Sequence, residues 1–106
     1  MGRSGMSGMM SKYKDGAFIG PVADAYYGNI QVEAVIQGGK LVDVQFLQYP
    51  NDRSTSRFIN SYAMPYLKSE AVAAQSANVN TVSGATDSSG AFRQSLSSAL
   101  TQALNG

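Results

Sequence analysis

The stretch that most restricts the fold is residues 29–48, where two alternating runs flank Gly38-Gly39. In "NIQVEAVIQ", Ile30, Val32, Ala34 and Ile36 fall on one side of an extended chain, and Gln31, Glu33 and Gln37 on the other. Successive side chains of a strand point to opposite faces, so this is the pattern of a half-buried strand. Two glycines follow, and both tolerate the positive φ that a two-residue hairpin turn requires. In "KLVDVQFLQY" the same alternation sets Val42, Val44 and Phe46 against Asp43 and Gln45. The chain is therefore expected to form an antiparallel hairpin with one apolar face that something else must cover.

The flanking segments supply the cover. Ahead of the hairpin, "DGAFIGPVADAYYG" sets Phe18 and Ile19 among Gly16, Gly20 and Pro21, which predicts a short, irregular edge strand. Behind it, "PNDRSTSRFINSYAMPYLKSEAVAAQS" reads as two helical pieces. Asp52 or Ser54 would cap the first, and Phe58, Ile59, Tyr62 and Ala63 recur at helical spacing. Pro65 belongs in the first turn of the second piece, whose apolar stripe is Leu67, Ala71 and Ala74. "ANVNTV" is expected to add a small strand. From Thr86 to Leu104, Phe92, Leu96, Ala99, Leu100, Ala103 and Leu104 share one face, while Arg93, Gln94, Ser97, Ser98 and Thr101 take the rest. The expected fold is α+β: a small antiparallel sheet with a β-hairpin, helices packed on one face, and a C-terminal amphipathic helix. At 106 residues this is one domain. The Gly- and Ser-rich residues 1–10 read as a leader or linker, with the domain spanning 11–106.

Composition removes several chemistries. Without cysteine there is no disulfide, thiolate nucleophile or zinc–thiolate site. Without histidine there is no Ser-His-Asp triad and no imidazole base. The net charge is +1 and no run of Lys or Arg occurs, which argues against nucleic acid as a partner. No stretch approaches the ~20 apolar residues of a membrane span. The seven carboxylates, at Asp15, Asp24, Glu33, Asp43, Asp52, Glu70 and Asp87, are scattered rather than paired for acid–base work. Any redox or group-transfer role would need a cofactor.

One motif stands apart. "VSGAT", residues 82–86, leads into the final amphipathic segment. The first N–H groups of a helix lack internal partners and that end is slightly positive, so small residues such as Gly84 and Ala85 leave room for an anion. Ser83 and Thr86 add hydroxyls. An ordinary Ser or Thr N-cap gives the same letters. The Walker loop and the dinucleotide fingerprint are both absent, since neither Gly-Lys-Ser/Thr nor the required glycine spacing occurs.

From Tyr13 to Leu104 the chain resembles the FMN-binding domain family, including the flavin-carrying subunits of sodium-pumping NADH:quinone reductases. The resemblance rests on "KDGAFIGP", "YYGNIQVEAVI", "GGKLVDVQFLQYPND", "AMPYLKSEAVAAQSANV" and above all "VSGATDSSGAF". It implies an FMN-carrying electron-transfer domain whose flavin is joined by a phosphoester to Thr86, or is held without a bond. It also implies a separate Mg-dependent flavin transferase that uses FAD. Ser83, Gly84 and Ala85 would present the acceptor, and Ser88 matches a Ser/Thr position just beyond. Asn80 stands where the family usually has Asp. Tyr26, Tyr27, Tyr62 and Met64 are candidates to wall the flavin ring, and Arg53 and Arg57 to meet its phosphate or electron-rich edge. Core packing, and exposed helix charge for the arginines, compete with those roles. The family's usual setting is extracytoplasmic or membrane-anchored, and redox partner proteins are implied but not named. Two other readings compete. One is a non-redox interaction or scaffold domain that has lost its cofactor. The other is a free-standing flavin reductase, which would need a nicotinamide site the sequence does not offer.

Overall fold

The elements run β1 (Gly16–Ile19), β2 (Ala23–Asp24), β3 (Asn29–Gln37), β4 (Lys40–Gln48), a π-helical turn (Ile59–Ala63), α1 (Met64–Ala74) and α2 (Thr86–Ala103). This is a computed structural model, and it describes residues 13–25, 28–49, 59–83 and 85–104. The expected leader at residues 1–10, the cap candidates Asp52 and Ser54, and Phe58 lie outside the described residues. β3 and β4 form the hairpin, and Gly38 and Gly39 take φ of 65° and 78° at its turn. β3 is the central strand, with β4 along one side and β1 and β2 in succession along the other, all antiparallel. Ile30, Val32, Ala34 and Ile36 are buried, as their alternation demands.

The return strand departs from strict alternation. Val35 pairs with Asp43 and Ile36 with Leu41, so Val42 is an extra residue at a β-bulge. The bulge turns Leu41 into the core at 1% exposure and leaves Val42 at 44%. Val42 therefore does not share the inner face with Val44, and Leu41 takes its place. A second irregularity near Leu47 leaves that side chain exposed as well.

α2 crosses the inner face and passes tightly against Gly20, just beyond β1. A Cβ on Gly20 would sit 1.9 Å from the Ser95 carbonyl oxygen, so only glycine fits there. The Gly20 N–H donates to the Val32 carbonyl, while the Val32 N–H turns to Ser95 Oγ at 3.1 Å. Ser95, fully buried on the apolar face of α2, thus completes the ladder. Phe92, Leu96, Ala99, Leu100 and Ala103 fill the core beneath it, with Phe46 tilted against Phe92 at 5.6 Å. Leu104 was expected on this face but lies just past the helix end and is 44% exposed.

α1 begins directly from the π-helical turn, with Pro65 in its first turn where a missing N–H costs nothing. Leu67 and Ala71 are buried, but Ala74 faces solvent and leaves the expected stripe. The helix ends at Gln75, whose φ of 57° is left-handed. That conformation is costly for a residue with a Cβ, and the side chain gives a reason for it. Gln75 Oε1 accepts from Leu41 N–H and Gln75 Nε2 donates to the Leu41 carbonyl, each at 2.8 Å, covering part of the outer edge of β4. The expected strand at 77–82 does not form. Its backbone groups bond instead to side chains and to nearby turns, as described below. Among the described residues no helix is long and apolar enough to cross a membrane.

Candidate functional site

The segment entering α2 is held from three sides. On the α1 side, Glu70 accepts the Asn80 backbone N–H at 2.8 Å and the Asn80 side-chain amide at 3.3 Å, while Tyr66 donates its hydroxyl to the same carboxylate at 3.0 Å. The Asn80 backbone bond holds the Glu70 carboxyl below its usual pKa, with the Tyr66 and Asn80 side chains adding to it. The same contact raises the Tyr66 phenol, because its proton is held on the carboxylate. From α2, Arg93 Nη1 reaches Thr81 Oγ1 at 3.1 Å and the Val79 carbonyl at 3.4 Å. Below, Ser89 accepts the Val82 N–H at 2.9 Å and donates to the Ala85 carbonyl at 2.8 Å. Val79, Val82 and Ala85 are buried and anchor the loop to the core.

This bracing sorts the hydroxyls. Ser88 and Ser89 are buried, at 2% and 0% exposure, whereas Ser83 and Thr86 face solvent. The N-cap of α2 is Ala85, which makes no side-chain cap bond. The ordinary capping explanation therefore does not account for Ser83 or Thr86. Alanine is among the poorest N-cap residues, at a cost of about 0.5–2 kcal/mol against Ser or Asp. Its side chain offers the first amides of α2 no acceptor. Thr86 is the first residue of the helix, and among the described residues nothing hydrogen-bonds to its hydroxyl.

Four residues on, Gly90 sits in the interior of α2. Among the described residues, and apart from the helix's own backbone, the atom nearest a Cβ there would be Arg93 Nη2, at 3.9 Å. Packing therefore does not demand this glycine, and a mid-helix glycine costs about 0.5–1 kcal/mol relative to alanine. Thr86, Gly90 and Arg93 fall on one side of α2 by their spacing of four and seven. An exposed hydroxyl beside a bare stretch of helix and a guanidinium is a fit for a phosphorylated ring system.

Ser83, Ala85 and Thr86 lie at this junction, Asn80 is held by Glu70 on its α1 side, and Ser88 is buried. Met64 is 7% exposed and belongs to the core, away from any solvent-facing wall. Tyr62 is 55% exposed and stacks on Tyr66, with ring centroids 6.3 Å apart and planes 7° from parallel. Tyr26, Tyr27, Arg53, Arg57 and Gly84 lie outside the described residues. Sequence reasoning missed Glu70, Ser89 and Arg93. Serines at core positions of an amphipathic helix were a usable signal for Ser89, whereas nothing local tied Glu70 to a loop ten residues later.

The fold and this junction define a small α+β binding domain whose accessible chemistry gathers where the last loop enters the last helix. The chain belongs to the FMN-binding domain family, whose model matches residues 25–101, and FMN is the domain's cofactor. No curated protein matches the chain. Among solved structures it is similar to the CPE2226 protein from Clostridium perfringens, with a TM-score of 0.68 and 18% identity. That match covers 86% of this chain and 88% of the other, and at such low identity it shows the shared fold alone.

Proposed function

We propose that this chain is an FMN-carrying electron-transfer domain in which the flavin is attached through a phosphoester to Thr86. The observation that carries this reading is the exposed Thr86 hydroxyl, unengaged among the described residues, at the end of a loop fixed by Glu70, Arg93 and Ser89. In the attachment step a bond forms between Thr86 Oγ1 and the FMN phosphorus of FAD. The pyrophosphate linkage breaks, AMP leaves, and the threonine proton passes to the transferase or to water.

The chain's own part is to bind and place. Fixing the loop removes the freedom that would otherwise oppose ordering the acceptor. The resulting phosphodiester carries one negative charge beside the first amides of α2, an interaction worth about 0.3–1 kcal/mol if exposed. Asp87 opposes it. Bound FMN supplies one- or two-electron chemistry, and no side chain here need serve as a catalytic base. A tether retains the flavin when free FMN is scarce. The family also favours an extracytoplasmic or membrane-anchored setting, which we include in the proposal.

Co-expression with a flavin transferase tests it. The wild-type protein is expected to be yellow and to gain the mass of one FMN less one water, and Thr86→Ala to gain neither. An unchanged mass with acid-releasable flavin would retain binding and discard the bond. Colourless wild-type protein of unchanged mass would favour a scaffold domain.

A further inference from the structure

Resting on the flavin reading above, we propose that Arg93 is a ligand-binding residue of this site, its guanidinium pairing with the FMN phosphate beside Thr86. Three observations converge on it. Arg93 lies two turns beyond Thr86 on the same side of α2, and helical side chains lean toward the N-terminus. The guanidinium does so here: among the described residues, and apart from the helix's own backbone, Nη2 is the atom nearest a Cβ built on Gly90, one turn from Thr86. Glycine at that position keeps the space between the hydroxyl and the cation clear.

Second, the guanidinium is already fixed. Nη1 is held by Thr81 Oγ1 and the Val79 carbonyl, and a guanidinium has five N–H donors in a rigid fork. These two neutral acceptors leave donors for an oxyanion without requiring the side chain to reorder. Third, the charge is needed. A phosphodiester on Thr86 would sit next to Asp87, and no ion pair to Arg93 is found among the described residues to neutralise either group. The ligand class that fits is a phosphate ester of a flat ring, and the recognised element is its phosphate.

Equilibrium binding of FMN and of riboflavin to the unmodified full chain, followed by flavin fluorescence, separates this from a structural role. Wild type is expected to prefer FMN over riboflavin, since the salt link needs no covalent bond. Arg93→Gln should lower that preference about tenfold, the usual scale for a hydrogen bond to a charged group, with riboflavin affinity little changed. Arg93→Lys should restore part of it, and the preference of wild type should weaken with added salt. Loss of riboflavin and FMN binding in equal proportion in Arg93→Gln would mean that Arg93 only holds the loop. An unchanged preference in that variant would overturn the proposal while leaving the flavin reading intact. Wild type that binds neither flavin, and gains no mass from the transferase, would sink both.

Discussion

Replacing Ser89 with alanine removes one oxygen and tests whether the acceptor loop is braced from beneath. The Ser89 side chain is fully buried and is the hydrogen-bond acceptor for the buried Val82 N–H. The Ala85 carbonyl would keep its bond from the Ser89 backbone N–H at 2.9 Å, so the variant orphans one donor rather than two groups. A buried N–H without a partner costs about 1–3 kcal/mol. Alanine returns about 0.5 kcal/mol through its better helix propensity. The net loss is about 0.5–2.5 kcal/mol, and at about 4–8 °C per kcal/mol for a domain this small the midpoint should fall by about 2–20 °C. Ser83→Ala is the control, because Ser83 is exposed and should stay within about 0.5 kcal/mol of wild type. Thermal and urea unfolding by circular dichroism measure both. Flavin loading, assayed well below the lowered midpoint, should also drop in Ser89→Ala as the loop loosens. If the two variants unfold alike and load alike, the bracing reasoned from these hydrogen bonds is wrong.

Gly90→Ala should stabilise the unloaded protein by about 0.5–1 kcal/mol, because among the described residues its Cβ meets no close contact, yet reduce flavin loading by crowding the route to Arg93. Unfolding and loading assays moving in the same direction would contradict the role given to that glycine. Gly20→Ala should cost about 3 kcal/mol or more, since its Cβ would collide with the Ser95 carbonyl, and a mild effect by urea titration would show that α2 does not pack there as described. For Glu70 the folded pKa is depressed, so its contribution is present above the ordinary glutamate value and is lost as pH falls through the lower folded value. An NMR titration should give Glu70 a midpoint below the usual carboxylate range, with the Asn80 amide resonance moving at the same pH. An Asn80 amide that does not follow the carboxylate would show that the two are not bonded.

Much of the fold was legible because one face of the hairpin is continuously apolar, and a single-residue slip would turn Ile30, Val32, Ala34 and Ile36 outward. Pro65 and the Phe92–Ala103 stripe marked the helices by equally local physics. What alternation could not reveal was the bulge that exchanges Leu41 for Val42, since an inserted residue preserves composition while resetting the phase. The segment 77–82 looked like a strand, but its partners are side chains of Glu70, Ser89 and Arg93 rather than a neighbouring strand. Those bonds span ten, seven and as many as fourteen residues, beyond any local pattern. Thr86 was legible through its motif. Its exposure, set against the burial of Ser88 and Ser89, follows from helix phase together with which side of α2 meets the sheet.

Peptide mapping by tandem mass spectrometry after co-expression with a flavin transferase tests the central claim most directly. Cleavage after Lys68 and Arg93 releases residues 69–93, which contain Ser83, Thr86, Ser88 and Ser89. The account expects the flavin phosphate on that peptide, with fragment ions assigning it to Thr86. An adduct on another residue, or a fully unmodified peptide from protein that has met an active transferase, would contradict it.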